Sequence, residues 1–356
     1  MSRHLPCALA LAVFAAACSN STPAETPAPA ATSPAPVIDV FGPRLLVTNE
    51  ESGDLTVMDL ATRQVTATIP LGKRPRGIVV SPDGKTAYVA LSGSPAAGPG
   101  VDEKTLPPPD RTADGIGVVD LTAGKLQRVL KSGPDPEKVA LTADGKFALV
   151  TNEDAAMTSF VDIEKGEIVA TTKVGGEPEG VDVRPDGQVA YVTSEEDGEV
   201  FVIDTAAHTV VARFAVGPRP RSTAFLPDSS EAYVTSENGA TVTVVDAKAH
   251  KVRAAIKLTG EMARPMGAVA SPNGAFVYVT TGRGKNLVAI DTETHAVAWQ
   301  VEVGQRPWGV AVSPDGSTVY TANGPSNDIS VVDVATRSVV AKVKAGSKPW
   351  GAAVVN

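Results

Sequence analysis

Apart from a short head, the chain is one unit of about 42 residues copied seven times with small changes. Each copy runs through a tight loop built on a Pro, an apolar run, a turn resembling Ser-Pro-Asp-Gly, and a second apolar run ending near Thr-Asn or Thr-Ser. A Val-Val-Asp segment and a last β-rich stretch follow. The first such stretch is GIVVSPDG at 77–84 followed by KTAYVAL at 85–91; later ones are GVDVRPDG at 180–187 with QVAYVTS, and GVAVSPDG at 309–316 with STVYTAN. The third segment recurs as LTVMDL, IGVVDL, TSFVDI, VFVIDT, VTVVDA, LVAIDT and ISVVDV. A chain of this kind must build one supersecondary unit seven times and stack the copies.

The apolar residues alternate or run on over four to seven positions. They are rich in Val, Ile, Tyr and Thr, which suit a pleated, half-buried surface. Pro-Asp-Gly turns place Pro where φ is already fixed and Gly where φ must be positive, so each joins two antiparallel strands. Each copy therefore yields four strands. Such a small sheet cannot bury both faces alone, and seven of them make a closed ring, a seven-bladed β-propeller. The ends support closure. The chain enters its first copy mid-unit at RLLVTN (44–49) and leaves its last mid-unit at GAAVVN (351–356). Strand 351–355 is expected to pair with strand 44–48.

The segments LLVTN, AYVTS and VYVTT resemble the repeat of the YVTN (YncE-like) family of seven-bladed β-propellers, over residues 44–356. GKRPRGIVVSPDG and VGQRPWGVAVSPDG are similar to the subgroup found beside pyrroloquinoline-quinone-dependent alcohol oxidation. That resemblance implies an accessory without a redox centre of its own, and hence no cofactor. Some seven-bladed propellers are lactonases, so lactone hydrolysis stands as the alternative.

Residues 1–18 carry a basic start, an apolar stretch and Cys18 in the context FAAAC. This stretch is too short to span a bilayer and reads as a secretory signal. FAAAC resembles a lipobox, although Ala15 replaces the more usual Leu, and Ala15 with Ala17 also satisfies ordinary cleavage. Residues 19–42 are rich in Pro, Ala, Thr and Ser and read as a tether between a lipidated Cys18 and the propeller at 43–356. Ser19 favours the outer membrane, by resemblance to lipoprotein sorting. Cys7 and Cys18 are the only cysteines, so the propeller has no disulfide. A net charge of −8 argues against nucleic acid as a partner.

The catalytic inventory is thin. His208, His250 and His295 recur at one repeat position, as solvated turn residues would. There is no Gly-x-Ser-x-Gly, dinucleotide fingerprint or P-loop, and no metal site is expected. The Pro loops gather on one face. Basic ones carry Arg219 and Arg221, Arg264, Arg306, Lys348, and Arg74 with Arg76; acidic ones carry Asp135, Glu137, Glu177 and Glu179. Trp308 and Trp350 fall at matching positions inside the basic arc. Two readings follow. Glu50, Glu153, Glu195 and Glu237, after the second strands, are placed to neutralise those arginines as interblade ion pairs. Alternatively, the nine residues Arg74, Arg76, Arg219, Arg221, Arg264, Arg306, Trp308, Lys348 and Trp350 bind a planar anionic ligand or an acidic patch on a protein. One copy carries a long insertion at 94–114 with Asp102, Glu103, Asp110 and Asp114. Its spacing matches no EF-hand, and it reads as a lid or docking arm.

Overall fold

The computed structural model describes residues 42–96, 105–260 and 262–356; the expected signal segment, Cys18 and nearly all of the tether lie outside the described residues. The described chain forms seven four-stranded antiparallel sheets. Blades are numbered here from the first complete copy: blade 1 begins at Pro75, blade 2 at Pro136, blade 3 at Pro178, blade 4 at Pro220, blade 5 at Ala268 and blade 6 at Pro307. Blade 7 joins the two ends of the chain. Its innermost strand is Pro349–Val355, and Arg44–Asn49, Asp54–Asp59 and Val65–Pro70 complete it. The register is the expected one, with Arg44 opposite Val355 and Val47 opposite Ala352. Each innermost strand touches that of the next blade, and the seventh touches the first, so the ring is closed.

Period-two alternation explains the core. In the strand Arg44–Asn49, Leu46 packs towards blade 1 while Leu45 and Val47 pack towards blade 6. Seven apolar clusters result, one in each gap between blades. Outermost strands such as Glu167–Lys173 stay largely exposed.

The threonine of the Val-Thr-Asn run has a physical reason to recur. Thr48 Oγ1 donates to the Arg76 carbonyl of the next blade (2.7 Å) and accepts from Gly351 N of its own blade (2.8 Å). Thr151, Thr235 and Thr280 donate in the same way to the carbonyls of Glu179, Met266 and Trp308. In these four blades the hydroxyl ties the blade to the residue just after the next blade's Pro, which fixes those side chains around the channel throat.

The histidines differ from expectation. They do lie in turns, on the face opposite the Pro loops, but each is half-buried. His208 packs on Phe160 with ring centroids 4.2 Å apart, His250 Nδ1 meets Tyr191 Oη at 2.8 Å, and His295 Nε2 meets Glu231 at 3.1 Å. Each fills a groove beside the preceding blade, a role that a flat ring performs better than a short polar side chain.

Candidate functional site

Two rings of side chains surround the channel mouth, set by the residues before and after each Pro. The residue before Pro is driven out of the right-handed helical region by the ring that follows it. In six blades it takes positive φ: Arg74, Asp135, Glu177, Arg219, Arg306 and Lys348, between 39° and 61°. For a residue with a Cβ that conformation costs roughly 1–2 kcal/mol. It turns the carbonyl towards the end of the second strand. There, Lys348, Asp135, Glu177 and Arg219 accept from the backbone N–H groups of Glu50, Glu153, Glu195 and Glu237. The same turn therefore brings a glutamate to the mouth in four blades.

Those glutamates meet the arginines. Arg74 binds Glu50 at 2.8 Å. Arg76, buried, pairs with Glu137, with Glu153 at 3.4 Å and with Asp135 at 3.5 Å. Arg219 pairs with Glu195. Arg221 pairs with Glu179, with Glu195 at 2.8 Å and with Glu237 at 2.7 Å. Four of the nine expected site residues are thus engaged in interblade ion pairs. The carboxylates outnumber the arginines here. Burial, with the charges of Glu177 and Glu153 adding to it, lifts Glu195 to about 8 even though Arg219 opposes the shift. Burial likewise raises Glu153, against Arg76.

Blades 1, 5 and 6 lack the glutamate, having Ser92, Gly282 and Gly324 in the corresponding turns. Consequently Arg264, Arg283 and Arg306 make no ion pair among the described residues. Arg264 donates to Asn238 Oδ1 at 3.0 Å and lies outside the mouth cavity. Arg306 is half-buried, its guanidinium 5.2 Å from the Trp308 ring centroid. Burial, reinforced by Arg283 and Arg221, presses its pKa below the ordinary arginine value. The Trp308 and Trp350 rings lie 5.5 Å apart, inclined at 35°. Lys348 reaches the exposed Glu51 at 3.3 Å.

The inner ring divides into halves. Blades 1 to 4 contribute Arg76, Glu137, Glu179 and Arg221, which form the ion pairs Arg76–Glu137 and Arg221–Glu179; blades 5 to 7 contribute Met266, Trp308 and Trp350. The mouth above them is a cavity of about 1000 Å³ bordered by Arg306, Arg283, Lys348, both tryptophans, Glu153 and Glu177. Leu106 and Pro107–Pro109 of the insertion form part of its wall. That segment is anchored by Lys73 to Asp110 at 2.7 Å and by Arg111 to Asp154. Asp102 and Glu103 lie outside the described residues, and among the described residues no acidic, His or Cys cluster is arranged to hold a metal. Arg283 escaped the sequence reading because it stands in a strand-to-strand turn, GRG, rather than in a Pro loop.

A family model described as a YNCE-like β-propeller matches residues 92–231, and one described as a lactonase, 7-bladed β-propeller matches residues 205–348. No curated protein sequence matches. Among solved structures, the chain is similar to hydrazine synthase of Kuenenia stuttgartiensis, with 22% identity, a TM-score of 0.71, and 82% of this chain and 92% of that one covered. It is also similar to a functionally unknown protein from Desulfotomaculum acetoxidans (14%, TM-score 0.72, 88% and 99% covered). A third is a protein from Bacteroides uniformis provisionally described as a 6-phosphogluconolactonase (17%, TM-score 0.72, 88% and 99% covered). Identities this low speak to fold alone. With the two family models overlapping at 205–231 and the ring closed by strand pairing, the chain is a seven-bladed β-propeller that resembles the YNCE-like model over residues 92–231.

Proposed function

We propose that this propeller is a binding module that takes a flat, anionic small molecule or an acidic protein segment at the mouth, over blades 5 to 7. The observation that supports it is Arg306: a half-buried guanidinium on a tryptophan face with no carboxylate partner among the described residues. An uncompensated charge in such a place is unfavourable until an anion arrives. Arg283 and Lys348 add charge, and Trp308 with Trp350 supplies flat apolar area. Arg74, Arg76, Arg219 and Arg221, already paired, shape the opposite wall. In this reading Cys18 carries lipid, the tether holds the propeller in the cell envelope, and the partner belongs to periplasmic oxidation by a quinoprotein, as the KRPRG and QRPWG loops suggest.

The test is capture of ligands from a native envelope fraction, identified by mass spectrometry, with Trp308→Ala plus Trp350→Ala as control. Loss of capture at nearly unchanged Tm is expected; a large fall in Tm with capture intact would make the tryptophans packing residues. A second reading, lactone hydrolysis, draws on the lactonase model over 205–348, which contains Arg306 and Trp308. Lactone turnover by the purified chain, with and without chelator, decides between them.

A further inference from the structure

Below the tryptophans the channel narrows to a cavity of about 210 Å³. Its wall breaks the repeat at three places. The second residue after the Pro is glycine in five copies because the blades approach closely there. A Cβ on Gly77, for example, would lie 2.7 Å from Lys138 Cα of the next blade. The two exceptions are Lys138 and Ser222. Two positions beyond that glycine the repeat has Val or Ala in six copies, and the exception is Asp182.

These three departures, on blades 2, 3 and 4, converge. Lys138 Nζ donates to Asp182 Oδ2 at 3.1 Å and to Ser222 Oγ at 3.2 Å. Ring closure needs none of them, since the other copies close without them. Opposite lie Ala268, Val310 and Ala352, with both tryptophans above. The channel thus has one hydrogen-bonding wall and one apolar wall.

We infer that this channel is a second binding site, separate from the anion site above it, for a small uncharged molecule carrying a hydroxyl or carbonyl group on an aromatic or alicyclic body. The charge class follows from the four charged residues that line it, Lys138 with Asp182 and Arg221 with Glu179, which cancel in pairs; a further full charge there would be desolvated without a counter-charge. The donor pattern follows from the inventory. An ammonium has three N–H groups, of which two are used, and Ser222, as an acceptor, keeps its own O–H to donate. Asp182 also accepts from the Thr223 backbone N–H, and its carboxylate keeps further lone pairs as acceptors. Burial pushes the Asp182 pKa up while Lys138 opposes the shift, consistent with a water-poor pocket. The size suits one ring: an apolar cavity of about 150 Å³ can take benzene.

The probes are benzyl alcohol, cyclohexanone, toluene and benzoate, titrated against the full chain by tryptophan fluorescence and saturation-transfer NMR. Benzyl alcohol is expected to bind at least about tenfold more tightly than toluene, the contribution of a hydrogen bond to a charged group. Reverting the cluster to the repeat (Lys138→Gly, Asp182→Ala, Ser222→Gly) should abolish that difference and leave Tm nearly unchanged. Arg306→Gln should leave benzyl alcohol binding intact while weakening benzoate, which separates this site from the mouth. Equal affinity for toluene and benzyl alcohol, no binding of either uncharged polar probe, or loss of benzyl alcohol binding in Arg306→Gln would overturn the inference. Lys138→Met with Asp182→Asn keeps the side-chain bulk. If both this variant and the reversion unfold, the cluster is a structural brace and the inference falls.

Discussion

Arg221→Met is the sharpest perturbation of the mouth. Arg221 is 8% exposed, and its partners Glu179, Glu195 and Glu237 are 7%, 6% and 10% exposed. With Arg219, two cations face three carboxylates, so removing one leaves two negative charges in excess. Methionine refills most of the volume, so the penalty is electrostatic. Breaking a buried cluster from one side costs about 3–5 kcal/mol. At about 2–3 °C per kcal/mol for a domain of this size, Tm should fall by roughly 6–15 °C. The pH dependence carries the argument. In the wild type, Glu195 has a folded pKa of about 8, above its ordinary value, so the folded state holds a proton that the unfolded state has already released. That contribution is complete at pH 4 and is lost as pH rises towards 8. Loss of Arg221 raises the neighbouring carboxylates too, so the deficit of the variant should be small at pH 5 and full at pH 8. Urea denaturation at both pH values measures it, and adding Glu195→Gln should restore part of the loss at pH 8. A deficit below about 1 kcal/mol at pH 8, the level of an exposed pair, or an equal deficit at the two pH values, would refute the buried-cluster account.

Deleting residues 351–356 should leave the chain aggregated or unfolded. It removes the ladder to Arg44–Val47 and the buried Val355; at about 1 kcal/mol per hydrogen bond and 1.5–3 per buried Val, the loss rivals a typical net stability of about 5–15 kcal/mol. An unchanged Tm would contradict closure by this strand. Cys18→Ser should release the protein from membranes in detergent-free fractionation, and continued sedimentation with membranes would count against a lipid anchor.

The fold was legible because its determinants are local and repeated. Alternation in RLLVTN or VAYVTS sets which residues face each neighbouring blade, and the two half-copies at the chain ends imply their own pairing. The site was legible only in outline. Positions before and after each Pro could be assigned to the mouth, but Arg76 and Glu153 are 77 residues apart and meet across blades. No periodicity tells which arginine a glutamate will reach, or which is left over. Histidine recurrence signalled structure correctly. It said nothing of the grooves into which the rings fit, since those depend on the preceding blade.

A repeat offers a separate route to function, because each position carries six controls. Where most copies agree, as at the threonine that five of the seven carry and that donates to the next blade's carbonyl in four of them, closure explains the residue. Where one sector departs, the other copies show that folding tolerates the common residue. Lys138, Asp182 and Ser222 depart in three adjacent blades and touch; Trp308 and Trp350 depart in two adjacent blades and lie 5.5 Å apart. Independent drift would scatter such departures around the ring. Their grouping gives the channel a polar side on blades 2 to 4 and an apolar side on blades 5 to 7. Among the described residues it also leaves Arg306 without a carboxylate partner on the side where both tryptophans stand. An amphipathic throat inside a symmetric scaffold follows from side-chain choice alone, since the backbone repeats throughout, and a ligand with one polar edge and one flat apolar face fits that division.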